Sequence, residues 1–218
     1  MSDSLATDRT PSLISPDMLP YQSRTTGPLK LGVLASGNGS NFEAMIEAIA
    51  SGQLHGQVQV VIYNNPGAKV AARAERWGVP AILLNHREYD RREYLDAAIV
   101  EVLQGYEVEW VVMAGWMRIV TPVLLDAFEN RAINIHPSLL PSFPGVRAIE
   151  QALAAGVKIT GCTVHLVVPE VDAGPILMQA AVPVMPDDTP ESLHARVQVM
   201  EHRILPRAIA LAASRTSS

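Results

Sequence analysis

The chain has one cysteine, Cys162, among 218 residues. A lone thiol excludes an internal disulfide and fits a reducing compartment. Its setting, Gly161-Cys162-Thr163-Val164, reads as a buried strand. No apolar run reaches the roughly 20 residues of a membrane-spanning helix; Trp110 to Met117 is far too short. The N-terminus lacks a charged segment followed by an apolar one, so no secretory signal is expected and the cytoplasm is the default. Basic residues are not in surplus: 17 Lys and Arg stand against 22 Asp and Glu, a formal charge of −5. That argues against a nucleic-acid binder, which would carry a basic stripe. It leaves room for a small anionic substrate held by backbone donors and one or two Arg. No His, Cys and Glu set has the spacing of a metal site, and no Gly-x-Ser-x-Gly elbow occurs.

What the chain does have is apolar content. Hydrophobic residues make up 48%, enough for one large domain around one core. Residues 1–29 differ, with Pro11, Pro16, Pro20 and Pro28 among many Ser and Thr. They read as a mobile N-terminal arm of unreadable function, and residues 30–218 as a single domain. From Lys30 strands and helices alternate. Strands are expected at 30–35, 58–63, 81–84 and 108–114, and helices at 41–50, 68–77, 91–103 and 122–128. Thr121 and Pro122 suit the N-cap and first position of the last of these. Such alternation implies an α/β fold: a doubly wound, mostly parallel sheet covered on both faces. The pattern then changes. A strand at 131–135 and a helix at 147–155, ended by Gly156, precede two β-rich runs at 160–168 and 176–184. These read as a strand pair, antiparallel if the loop turns the chain back. The last helix starts near Pro190, with Thr189 as cap, and Pro206 should kink or stop it.

Asn134-Ile135-His136-Pro137-Ser138-Leu139-Leu140-Pro141 is the most informative stretch. Asn134 and His136 are two apart on a strand and share a face, with Cα atoms roughly 7 Å apart. An amide donor beside an imidazole suits a carbonyl oxygen that gains negative charge. The plain alternative is turn chemistry at a strand end. Asp172, in Val171-Asp172-Ala173-Gly174-Pro175, would favour the imidazolium of His136 if the fold brought them close. Alone it reads as a turn residue, and His165 reads as structural.

Ser36-Gly37-Asn38-Gly39-Ser40-Asn41 joins the first strand to its helix. Free N–H groups there suit one phosphate. A dinucleotide fingerprint would need a third Gly where Phe42 stands, and a P-loop would need a Lys. An ordinary turn is the open alternative. Gly115-Trp116-Met117-Arg118-Ile119-Val120 follows the fourth expected strand. It suits either a pocket wall for a flat heterocycle or simple packing.

Together these segments, with Asp172-Ala173-Gly174-Pro175, Arg196-Val197-Gln198 and Glu201-His202, resemble the folate-dependent glycinamide ribonucleotide transformylases. The resemblance runs from about Lys30 to about Arg207 and implies a Rossmann-like formyltransferase fold. It implies transfer of the formyl group of 10-formyltetrahydrofolate, a co-substrate, to the amine of glycinamide ribonucleotide, without a metal. Asn134, His136 and Asp172 match the family's catalytic trio. Gly39, Ser40 and Asn41 match its phosphate loop, and Glu201 its acid for the glycinamide substrate. Arg92, Met117, Arg118, Ile119, Val120 and Asn134 match its folate contacts, with Arg91 a competing alignment for Arg92. The partners implied are small molecules, with no nucleic acid or membrane; monomer and homodimer are both open. The nearest rivals use the same formyl donor: a hydrolase, expected to carry a regulatory domain before the catalytic one, and a tRNA formyltransferase, expected to carry a basic domain after it.

Overall fold

The computed structural model describes residues 13–16 and 27–216. Strands β1 (Ile14–Ser15) and β2 (Leu29–Ala35) lead to helix α1 (Ser40–Ala50), β3 (Gly56–Tyr63), α2 (Val70–Arg76) and β4 (Ala81–Leu83). A 3-10 turn at His86–Glu88 precedes α3 (Arg92–Gly105), β5 (Trp110–Met113), α4 (Pro122–Ala127) and β6 (Ala132–His136). Then come α5 (Ala148–Ala155), β7 (Ile159–Leu166), β8 (Ile176–Pro183) and α6 (Pro190–Thr216). One sheet holds all the described strands in the order β1-β8-β7-β6-β5-β2-β3-β4. From β4 to β6 the pairs are parallel; β6-β7, β7-β8 and β8-β1 are antiparallel.

The parallel strands are continuous apolar runs because both faces are covered. Every residue of β5, Trp-Val-Val-Met, is buried. One face packs on α1 and α6 through Phe42, Met45, Val197 and Ile204. The other packs on α3 and α4 through Leu95, Ile99, Leu103 and Leu124. Strand order reverses direction between β2 and β5, so a crevice opens at their carboxyl ends. The chain crosses it where the Ser36 N–H donates to Gly115 O at 3.0 Å.

Two expectations change. Of the arm at 1–29, Ile14–Ser15 pair antiparallel with Ala180 and Gln179 of β8; residues 1–12 and 17–26 lie outside the described ones. An edge strand leaves one row of N–H and C=O groups unpaired, and β1 takes up part of it. Pro206 does not stop α6, which runs on to Thr216. The ring removes one hydrogen bond. Burial of Val197, Ile204, Leu205, Ala208 and Ile209 on a face packed against β7, β8 and α1 outweighs that local cost. Gly156 ends α5 in the left-handed region, φ 67°, as expected.

Candidate active site

Asn134 and His136 lie on β6 at the line where the sheet turns from parallel to antiparallel. His136 is the last residue of the strand and is buried. Across the ladder Asn134 faces His165 of β7, and His136 faces Thr163. The loop after His136 is held by that same Thr163. Its hydroxyl donates to Ser138 O at 2.7 Å and accepts from the Leu140 N–H at 3.0 Å. Gln179 of β8 adds a bond from Nε2 to Leu140 O at 2.9 Å. The exit from β6 is therefore fixed by side chains of the two antiparallel strands as well as by Pro137 and Pro141.

Asp172 comes to this point from the β7–β8 loop. Its Oδ2 lies 3.3 Å from His136 Nδ1 and its Oδ1 3.5 Å from His165 Nε2. The Gly145 N–H donates to Oδ2 at 2.7 Å, and Asn134 Nδ2 donates to Oδ1 at 3.4 Å. Asp172 has φ 54°, a left-handed conformation that costs energy in a non-glycine residue and clusters at functional sites. Two residues on, Gly174 permits the turn, since a Cβ there would run into Leu166 O. Burial alone would push the Asp172 carboxyl up. The bond with His165, the Gly145 N–H and the field of His136 outweigh it, so its pKa falls below the ordinary carboxylate value.

Both ring nitrogens of His136 face oxygens. Nε2 is 2.9 Å from Phe143 O, an acceptor only, and so carries a proton. Nδ1 faces the Asp172 carboxylate, which fixes the orientation of the ring. His165 Nδ1 lies 2.9 Å from Leu166 O, which leaves its Nε2 to Asn134 Nδ2 at 3.1 Å and to Asp172. His165, expected to be structural, thus belongs to the cluster. The signal was its register: an antiparallel partner of Asn134 on the same face.

Beside the cluster lies a cavity of about 620 Å³. Its wall includes Trp116, Met117, Arg118, Ile119 and Val120, together with the polar Asn134, His136, His165 and Asp172. Met117 and Ile119 are 74% and 52% exposed, large apolar side chains left open at the mouth. Arg118 Nε is buried with no acceptor among the described residues. Arg92 is not on this wall. It is the exposed first residue of α3, beyond the carboxyl end of β4.

The glycine loop forms the other half. Gly39 precedes α1 with φ 77°, and a Cβ there would meet Val70 Cγ2 at 2.5 Å. Position 39 is closed to a side chain both by conformation and by space. Ser40 and Asn41 do not cap α1; their side chains turn to α6. Gln198 Nε2 donates to Ser40 Oγ at 2.9 Å, and Asn41 Nδ2 donates to Glu201 Oε2 at 3.0 Å. Gln198, named only within the Arg196-Val197-Gln198 match, was given no role, although its spacing of three from Glu201 places both on one helix face. Burial pushes the Glu201 carboxyl up, against the pull of the Asn41 amide. Asn41 Oδ1 is buried with no donor among the described residues. Arg73 of α2 holds the loop from outside, donating through Nε to Asn38 O at 2.8 Å and pairing with Glu43. No group of metal-ligating side chains occurs among the described residues. None of their helices is long and apolar enough to cross a membrane.

An amide and an imidazole backed by a carboxylate, at the carboxyl edge of a mostly parallel sheet, mark an α/β protein whose site suits chemistry at a carbonyl carbon. A family model described as Formyl transferase matches residues 29–209. The chain belongs to the formyl transferase family. It is 41% identical over 180 residues to the phosphoribosylglycinamide formyltransferase of Bacillus subtilis, covering 83% of this chain and 92% of that one. It is 43% identical over 189 residues to the chicken trifunctional purine biosynthetic protein adenosine-3, covering 87% of this chain and 19% of that one. The chain thus spans less than a fifth of the trifunctional relatives it matches. The solved structure of glycinamide ribonucleotide transformylase 1 from Symbiobacterium toebii superposes with a TM-score of 0.85 at 46% identity, over 90% of this chain and 93% of that one.

Proposed function

We propose that this chain transfers the formyl group of 10-formyltetrahydrofolate to the amine of glycinamide ribonucleotide, a step of purine biosynthesis. The observation that carries the proposal is the convergence of Asn134, His136 and Asp172 on an apolar cavity, at the same carboxyl edge of the sheet from which the glycine loop leaves β2. The likeness to relatives named for this activity supports the choice of acceptor.

The folate donor supplies the formyl carbon that the amine attacks. The cavity fits its heterocycle: about 620 Å³ lies within the usual range for small-molecule pockets, and Arg118 Nε lacks an acceptor. Met117, Arg118, Ile119 and Val120 hold the donor, and Asn134 closes the end of its site. Asn134 Nδ2 contacts His165 Nε2 at 3.1 Å and Asp172 Oδ1 at 3.4 Å, and exchanges the longer of these for the formyl oxygen. His136, oriented through Nδ1 by Asp172, exchanges its Nε2 contact with Phe143 O for one toward that oxygen and relays the amine's proton through water to the departing folate nitrogen. Gly39, Ser40 and Asn41 receive the nucleotide's phosphate at the start of α1. Glu201 meets the glycinamide portion, trading its bond to Asn41 for one to the substrate. Much of the acceleration comes from holding two substrates in line. Arg92, away from the cavity wall, contributes only where the donor extends past the cavity mouth.

The partners in this reading are two small molecules. We also propose a cytoplasmic location, supported by a single, free and buried cysteine. The test is a formyl-transfer assay with the folate donor and glycinamide ribonucleotide. Formylated nucleotide in stoichiometric balance with tetrahydrofolate supports the proposal. Release of formate that ignores the amine makes the chain a hydrolase instead.

A further inference from the structure

Residues 117–121 are held at both ends by side chains that the chemistry above does not use. At the front the Met117 N–H donates to Ser36 Oγ at 2.8 Å. At the back the Thr121 N–H donates to Asp96 Oδ2 at 2.5 Å. Asp96 belongs to α3 and is 2% exposed, on a helix whose Leu95 and Ile99 pack with Val120 and Leu124. Burying a carboxylate is costly unless it accepts hydrogen bonds. Burial does push the Asp96 carboxyl up, against the pull of the Thr121 N–H.

The need for an external acceptor follows from the place of Thr121 as the N-cap, ahead of the α4 ladder that begins at Pro122. The proline ring keeps Thr121 out of the helical region, and Thr121 is extended, φ −108° and ψ 170°. The Thr121 N–H therefore cannot join the ladder of α4, and a buried N–H without a partner is heavily penalised. The Thr121 side chain makes no cap bond to α4; its hydroxyl adds instead to the pull on the Asp96 carboxyl.

We infer that Asp96 and Ser36 are positioning residues that pin residues 117–121 in place as the folate-side wall of the cavity. Between the two pins lie Arg118, Ile119 and Val120, all on that wall. Ile119 and the pinned Met117 are largely exposed, so their own burial does little to order the backbone. The pins order the segment before the donor arrives, which lowers the entropy lost on binding. Asp96 touches neither the glycine loop nor the Asn41–Glu201 pair, so its effect on KM is confined to the folate side; Ser36 opens the glycine loop, so its variant is read by exchange at Met117. The inference rests on the formyl-transfer reading for the identity of the ligand, though not for the ordering itself.

The test uses the full chain with Asp96→Ala, Asp96→Asn and Ser36→Ala. KM is measured for each substrate, and amide exchange over 116–121 is measured with no substrate present. Asp96→Ala should raise the folate KM about three- to tenfold, the loss of one buried hydrogen bond, and leave the nucleotide KM unchanged. Exchange at Thr121 should quicken. Asp96→Asn keeps an acceptor oxygen and should restore both. Ser36→Ala should quicken exchange at Met117, and it carries the test together with Asp96→Asn if Asp96→Ala does not fold. Equal rises in both KM values, unchanged exchange in Asp96→Ala or Ser36→Ala, or failure of Asp96→Asn to rescue overturns the inference. If the unmodified chain transfers no formyl group, the proposed function fails, and the exchange data still decide whether the pins exist.

Discussion

The two halves of the site are built differently. The loop at Gly37–Asn41 presents backbone: a glycine in the left-handed region, a helix start, and side chains already paired with Gln198 and Glu201 of α6. The cluster at the end of β6 presents side chains, drawn from β6, β7 and the β7–β8 loop. One half is fixed by chain direction and suits recognition. The other is fixed by an antiparallel register and suits chemistry. Their carboxyls differ in the same sense. Asp172, held below the ordinary carboxylate value, keeps its charge beside two imidazoles. Glu201, pushed up by burial, sits against an amide and waits for a partner.

The largest expected effect is in the chemical half. Asp172→Asn removes the charge that supports His136, and kcat should fall by about two to four orders of magnitude, the usual span for a positioned acid–base group. Circular dichroism should be unchanged. Near-normal turnover in this variant would erase the distinction between the halves. In the recognition half, Asn41→Ala should raise KM for the nucleotide by about tenfold, the order of one charge-assisted hydrogen bond, with little change for the folate donor. An equal rise for both substrates would place Asn41 outside the nucleotide site.

The smallest effect concerns pH, and the two carboxyls should pull in opposite directions. The lowered pKa of Asp172 makes its contribution to stability full above the unfolded value and lost as pH falls through the folded one. The raised pKa of Glu201 makes its contribution full below the unfolded value and lost as pH rises through the folded one. Melting temperatures followed from acid to neutral pH should show Asp172→Asn flattening the acid-side loss. Glu201→Gln should flatten the decline on the rising side. A shift of the same sign in both variants would contradict these assignments.

The parallel half of the sheet was legible in the sequence because buried strands and amphipathic helices write their periods directly. Gly156 and Pro122 marked helix boundaries for reasons of backbone geometry alone. Pro206 misled because a local penalty was overruled by packing along α6. Pairing of Ile14–Ser15 with β8 depends on contacts some 165 positions apart, with no local period to reveal it. Within the site, spacing put Asn134 and His136 on one strand face, where turn chemistry fitted them too; Asp172 read alone as a turn residue, and the resemblance gave all three their roles. His165 needed the β6–β7 register, Gln198 the approach of α6 to α1, and Asp96 the packing of α3 under α4. Each depends on a tertiary contact that spacing along the chain does not encode. Arg92 matched by alignment, yet its place at the start of α3 leaves it off the cavity wall.

The central claim is that His136 acts on the transferred formyl group while the two half-sites do the binding. Single-turnover formyl transfer, with enzyme in excess and both substrates bound, isolates that step from binding and release. His136→Ala should slow it by about two orders of magnitude or more, with substrate affinities kept. A single-turnover rate equal to that of the unmodified chain would contradict the account.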